Sequence, residues 1–196
     1  GGTDVSHLGA KLAVREAEFG LDDGRTRILA IATETAQGVF ALGTYAGASQ
    51  RLCGLAWGGV DLSADLGAET NRLPDGRYAE PYRLARSLTL MGAAAAGVDA
   101  VDAVFTNFRD LDGLAAECEA ARRDGFVAKM AIHPAQVPVI NAAFTPTPEA
   151  VAEARDWRIV SITKSECIFG SATDGELYAS EGYHPSCGAW NRDLVE

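Results

Sequence analysis

The sequence predicts an α/β fold with a parallel sheet covered by helices, and three observations carry that expectation. Short continuous apolar runs recur along the chain, helix-like stretches alternate with them, and Gly, Pro, Asn and Asp punctuate the joins. A run that is apolar at successive positions suits a strand buried on both faces. Parallel neighbours in turn need crossovers that lay helices on the sheet. Periodicity alone leaves open whether the sheet closes on itself.

From Val5 to Phe19, the apolar residues Val5, Leu8, Leu12 and Phe19 fall on one helical stripe, with Asp4 or Ser6 as N-cap and Gly20 as the stop. After a turn at Asp22, Asp23 and Gly24, a first buried strand runs from Ile28 to Ile31 and ends at Thr33 and Glu34. A helix of small residues continues to about Ser49, and a second strand from Leu52 to Trp57 ends in Gly58 and Gly59 just before Asp61. A polar loop covers Gly67 to Arg77. The Ala-rich helix from Pro81 to Ala96 opens with a proline suited to a first turn and stops at Gly97. Ala100 to Phe105 reads as a third strand, Arg109 to Asp124 as a helix with Leu111, Leu114, Cys118 and Ala121 inward, and Val127 to Ile132 as a fourth strand. Past Asn141 the pattern weakens. A turn from Thr145 to Pro148 leads into a helix from Glu149 to Trp157, after which the chain becomes rich in Ser, Gly and Cys. The domain predicted is therefore 1–157, with a divergent or poorly ordered tail over 158–196.

Composition narrows the partners. The chain has 196 residues, 47% hydrophobic and 22% charged, enough to bury a core. Its 27 acidic against 17 basic residues give a net charge of -10, and no basic cluster exceeds the Arg122–Arg123 pair, which argues against nucleic acid and anionic membrane. An anionic substrate would meet a repulsive field unless a bound divalent cation offset it. Cys53, Cys118, Cys167 and Cys187 show no CxxC spacing, so a disulfide framework or zinc ribbon is not indicated and a reducing, cytoplasmic setting fits. Gly1 to Leu12 hold no signal-like apolar run, and no window approaches the roughly 20 apolar residues of a membrane span. The chain starts without Met at the approach to a helix, which predicts a piece of a longer or processed product.

In parallel α/β folds, side chains at the carboxyl ends of strands converge on a shared mouth. Glu34 stands at the end of the first strand and Asp61 shortly after the second, so neighbouring strands would bring the two together. Two such carboxylates suit Mg²⁺ or Mn²⁺, hard ions that take oxygen ligands and keep places for water or a 2-keto acid. The plainer alternative is that Glu34 caps the helix starting near Thr35 and Asp61 caps a turn before Leu62. Asp65, Arg86 and Asp102 either line the same mouth or pair with neighbouring charges, and Asp65 is the candidate for substrate binding. His133, followed by Pro134, fits a structural turn better than a general base. Lys129, inside a strand, fits a supporting place better than a Schiff-base nucleophile. Cys167, His184 and Cys187 lack the spacing of a soft-metal site.

The segment Ala32 to Val39 (ATETAQGV) followed by Gly58 to Gly67 (GGVDLSADLG) resembles the HpcH/HpaI aldolase and citrate lyase beta-subunit family. Arg86 with Ser87, Gly125 to Val137 and Asn141 to Arg155 are similar to later landmarks of that family, in order, so the resemblance covers about Thr3 to Arg155. It implies a TIM-type (β/α)8 barrel, of which this chain holds about the last four βα units. It also implies Mg²⁺ (or Mn²⁺) carried by Glu34 and Asp61, with Glu34 also near the substrate. The chemistry implied is that of a carbon–carbon lyase acting on a hydroxyacyl-CoA thioester of the malyl, citramalyl or citryl type, with the keto acid chelating the ion. The GFVAKMAIHP and FTPTPEAVAEAR segments resemble the citrate lyase branch more than the pyruvate aldolase branch. A pyruvate-type class II aldolase is the enzymatic alternative. The other alternative is an inactive fragment or partner subunit lacking the first barrel half, since the family's earlier strands carry an acidic segment and a substrate-binding arginine. The implied partner is an acyl-CoA or keto acid. A half barrel with two open edges and an apolar inner face predicts a homo-oligomer. In some members a lid donates an acid to the neighbouring subunit, and only Asp174 to Leu177 faintly resembles that region.

Overall fold

The apolar runs become the strands their composition demands. In the computed structural model, which describes the backbone of 1–162, 166–171 and 177–181 and the side chains through residue 152, strands β1 (Ile28–Ile31), β2 (Leu52–Ala56), β3 (Asp99–Asp102) and β4 (Ala128–Lys129) pair in parallel in that order. The expected α/β class with a parallel sheet is what forms. Contacts divide the chain into two units, 1–144 and 145–196.

Alternation along the strands gives the sheet two unlike faces. Leu55 pairs with Ala100, and Asp102 with Lys129, so Leu55, Ala100, Asp102 and Lys129 share the helix-covered face, where each is buried. Leu29 and Ile31 occupy the opposite face at 47% and 45% exposure. Among the described residues, β1 and β4 are the sheet's edges.

The covering helices are α1 (Gly2–Glu18), α2 (Ala36–Phe40), α3 (Gly59–Asp65), α4 (Glu80–Ala96), α5 (Leu111–Asp124) and α6 (Val137–Phe144). In α4, Pro81 lies in the first turn and Gly97 caps the end at φ 68°, a left-handed position that favours glycine. Tyr82, Ala85, Thr89 and Ala93 recur at helical spacing as its buried stripe, and all but Thr89 belong to one apolar core with Leu55, Trp57 and Ala100. Leu55, with no exposed surface, contributes on the order of 2–5 kcal/mol by the usual cost of cutting such a residue back to Ala.

At the amino end of the sheet, Glu16 of α1 is buried and takes Arg51 bidentately, Nη1 to Oε1 at 2.9 Å and Nη2 to Oε2 at 2.7 Å. Glu16 also accepts the backbone N–H of Gly24 and Thr26, and Asp23 joins Arg51 from the same turn. The hydrogen bond from Arg51 outweighs burial and holds the Glu16 carboxyl down to about 2.

Several boundaries differ from expectation. The α1 stripe is Gly2, Val5, Gly9 and Glu16, whereas Leu8 is exposed and Phe19 lies past the helix end. The helix expected to run to Ser49 is a five-residue α2 followed by a 3₁₀ turn over Leu42–Tyr45. Gly59–Asp65, where the sequence suggested no more than a turn before Leu62, is helical. Leu111 is 37% exposed because it opens α5 instead of lying in its buried stripe of Leu114, Cys118 and Ala121. The third strand stops at Asp102, and the fourth has only two residues, Ala128 and Lys129, paired with Val101 and Asp102.

In the second unit, Thr147 Oγ1 accepts the N–H of Ala150 at the start of α7 (Pro148–Asp156). Strands β5 (Trp157–Ile162), β6 (Glu166–Ser171) and β7 (Leu177–Glu181) follow as an antiparallel sheet within the segment read from sequence as a divergent or poorly ordered tail. The side chain of Cys167, all of His184 and Cys187, and the acids Asp174 and Glu176 lie outside the described residues. No helix among the described residues is long and apolar enough to cross a membrane.

Candidate metal centre

Glu34 sits in the turn between β1 and α2. That helix is capped by its neighbour Thr35, whose Oγ1 accepts the N–H of Gly38 at 3.0 Å, so Glu34 is not the cap. Asp61 lies in the first turn of α3, whose N-cap is Gly58. Both acids are exposed, and neither forms a hydrogen bond or ion pair with another described residue.

Two glycines set their approach. A Cβ on Gly58 would stand 2.7 Å from Cγ of Glu34, and one on Gly59 would stand 2.7 Å from the Trp57 ring. Gly58 has φ -116°, open to any residue, so the requirement is space alone. The stem of Glu34 therefore crosses the N-cap of the helix whose first turn carries Asp61. Asp65, at the end of that helix, accepts the N–H of Ala36 through Oδ2 at 2.8 Å and ties α3 to the turn that holds Glu34.

Among the described residues no group of three or more His, Cys, Asp or Glu side chains converges as a metal cage. A pair of carboxylates without partners among the described residues is instead a donor set that suits Mg²⁺, which keeps most of its octahedral places for water and substrate. The residues present fit that ion.

Behind this centre lies a second set of charges. Asp102, buried at the end of β3, accepts Trp57 Nε1 at 2.6 Å and Arg86 Nε at 2.9 Å on Oδ1, and Lys129 Nζ at 2.9 Å on Oδ2. Lys129 also reaches Glu117 at 3.2 Å, and Glu117 accepts Arg72 Nη1 at 2.7 Å. The Arg72 guanidinium stacks 3.9 Å from the Tyr78 ring centre, and Tyr78 meets Trp57 edge-on at 4.9 Å. Burial pushes the Asp102 carboxyl up, but Lys129 and Arg86 prevail and hold it below the usual carboxylate range. Burial pushes the Tyr78 phenol up to about 12, so it keeps its proton at neutral pH.

A cavity of about 660 Å³ opens beside these groups, with Arg72, Arg86, Asp102, Phe105 and Glu117 in its wall and none of Glu34, Asp61 or Asp65. Its arginines are already paired: Arg72 with Glu117, Arg77 with Asp75, Arg83 with Glu80, and Arg86 with Asp102 and Asp124.

A family model described as HpcH/HpaI aldolase/citrate lyase matches residues 2–134, a span that holds both carboxylates and every member of the charge network. The chain belongs to that family. Within the HpcH/HpaI family it is similar to the citrate lyase subunit beta-like protein of Mycobacterium tuberculosis H37Rv, 38% identical over 133 residues, which cover 68% of this chain and 48% of that protein. It is also similar to a (3S)-malyl-CoA thioesterase of Cereibacter sphaeroides, 40% identical over 137 residues, covering 68% of this chain and 44% of that one. The solved structure of protein CitE from Mycobacterium tuberculosis in complex with magnesium, acetoacetate and coenzyme A matches at a TM-score of 0.57 and 32% identity, over 74% of this chain and 53% of that one. The chain thus spans about half the length of the curated relatives it matches.

Of the other residues singled out in the sequence, Arg86, Asp102 and Lys129 are members of the network. His133 caps a 3₁₀ turn, its Nδ1 accepting the N–H of Ala135 at 3.1 Å, and stacks on Phe108 at 4.8 Å. Sequence reasoning missed Trp57, Asn71, Arg72 and Glu117. The available signal was a lone charge inside each of two apolar runs, Asp102 and Lys129, since each buried charge needs a partner.

Proposed function

We propose that this chain carries the metal-binding half of a carbon–carbon lyase that cleaves or forms a hydroxyacyl-CoA thioester of the malyl, citramalyl or citryl type, on a TIM-type (β/α)8 barrel of which β1 to β4 are about half. The observation that carries this reading is the approach of Glu34 over Gly58 to the helix turn bearing Asp61, with both carboxylates free of partners among the described residues. Glu34 and Asp61 hold Mg²⁺, or Mn²⁺ in its place, and Glu34 also borders the substrate. Their summed charge of -2 balances the ion, which lets an anionic substrate approach an acidic protein. Asp65 keeps the Glu34 turn against α3 through Oδ2 and offers its other oxygen to the substrate. A bound ion supplies Lewis-acid stabilisation for the charge that grows on the keto-acid oxygen as the carbon–carbon bond breaks. The magnesium, acetoacetate and coenzyme A of the similar CitE structure support the assignment.

A second reading, hydrolysis of the thioester at the same centre, is favoured by the similarity to the malyl-CoA thioesterase. The exposed Leu29 and Ile31 face and the two sheet edges favour a chain that turns over substrate only with a complementary half, or as an oligomer. The first test needs no turnover. Calorimetric titration should give one Mg²⁺ site in the chain and none in Glu34→Gln or Asp61→Asn, and unchanged affinity in either folded variant would refute the assignment. Incubation with malyl-CoA then separates the chemistries. Acetyl-CoA with glyoxylate marks the lyase and free CoA with malate the thioesterase, whereas pyruvate released from a free hydroxy-keto acid marks a class II aldolase.

A further inference from the structure

Gly59 is gripped from two sides. The Trp57 ring occupies the space where a Gly59 Cβ would stand, and Asn71 Nδ2 donates to the Gly59 carbonyl at 3.0 Å. Two residues further along the same helical turn comes Asp61. The Trp57 ring is itself fixed, because its Nε1–H ends on Asp102 and it makes a T-shaped contact with Tyr78.

From Trp57 the contacts run through Asp102, Lys129, Glu117, Arg72 and Tyr78 and back to Trp57, a closed circuit drawn from five separate parts of the chain. Asp102 and Glu117 balance Lys129 and Arg72, so the circuit is neutral and its buried charges are compensated. Arg72 also donates to the Gly76 carbonyl at 2.7 Å, which stiffens the loop that carries Asn71.

We infer that Trp57, Asp102 and Asn71 are positioning residues: the circuit and the Asn71 amide together hold the Gly58–Gly59 turn so that Asp61 stays in register with Glu34. The inference rests on the metal reading proposed above. A carboxylate needed only to neutralise Lys129 and Arg86 would have no use for the indole N–H. An amide needed only to order its own loop would have no use for the carbonyl at the head of α3. A metal site tolerates only about 0.5 Å of slack in its ligands, and a two-sided clamp on the first residue of the helix supplies that precision.

The test uses two mild variants of the full chain. Trp57→Phe keeps an aromatic ring and removes the donor, and Asn71→Ala leaves every ion pair intact. In metal-free protein, the backbone amide resonances of Gly59, Val60 and Asp61 should move in both, while those of the β5–β7 sheet stay. Mg²⁺ affinity should fall about ten- to a hundredfold with the far-ultraviolet ellipticity unchanged. A folded variant that leaves those resonances in place, or that moves them without loss of affinity, overturns the inference. Should Trp57→Phe fail to fold, Asn71→Ala decides alone. A parent chain that binds no Mg²⁺ sinks the metal reading, and the metal-free spectra then decide the positioning claim by themselves.

Discussion

Two pairs of acids lie near the carboxyl ends of this sheet and differ in one respect. Asp102 and Glu117 spend their oxygens on Trp57, Arg86, Lys129 and Arg72, whereas Glu34 and Asp61 spend theirs on no described residue. Burial, perturbed titration and a neighbouring cavity all coincide at Asp102. Unoccupied lone pairs lead instead to the exposed pair, because a carboxylate whose acceptor sites are filled has nothing left to offer an ion. Engaged acids fix the architecture, and idle ones at strand ends are available for chemistry.

The largest expected effect is on stability. Asp102→Ala strips Lys129 and Arg86 of their shared partner and should cost about 3–5 kcal/mol in urea unfolding, against less than about 0.5 kcal/mol for Glu34→Ala. Equal costs would break the contrast. Next comes Gly58→Ala, which forces Cγ of Glu34 away from a point 2.7 Å from the new methyl. Calorimetry and unfolding should show Mg²⁺ affinity falling about tenfold, with about 1–2 kcal/mol of stability lost. The smallest effect belongs to Glu16, an acid as fully engaged as Asp102. Its carboxyl is held at about 2 by Arg51, below its ordinary 4.5, so its contribution is complete above pH 4.5 and drains away as the pH falls toward 2. Glu16→Gln should therefore flatten the dependence of the melting temperature on pH across that window, and an unchanged slope would remove Glu16 from the engaged class.

How much of this was legible in the sequence depended on how local the cause was. β1 could be read to the residue because Ile28 to Ile31 is a continuous apolar run between a Gly24 turn and Thr33. The boundaries of α4 followed from Pro81 and Gly97. α3 was hidden because two glycines open it, and glycines read as turn signals. Here they are demanded by the Glu34 stem and the Trp57 ring, neither of which has a sequence pattern. α6 was hidden by Pro138 and its β-branched neighbours. Glu34, Asp61 and Asp65 could be nominated because acids at or soon after strand ends are the candidates in this fold class. Of the Asp102 circuit only Asp102 and Lys129 drew notice, as single residues; their partnership could not be read, since the members come from the end of β2, the 67–79 loop, β3, α5 and β4, and only the fold brings them together.

One ion held between two side chains is the centre of the proposed site. A crystal soaked in Mn²⁺ and measured at an energy where manganese scatters anomalously tests this directly. The expected map has a single strong peak bonded to a carboxylate oxygen of Glu34 and one of Asp61, each at about 2.1 Å. A peak seated on the Asp102 and Glu117 pair, or no peak within reach of both Glu34 and Asp61, would contradict it.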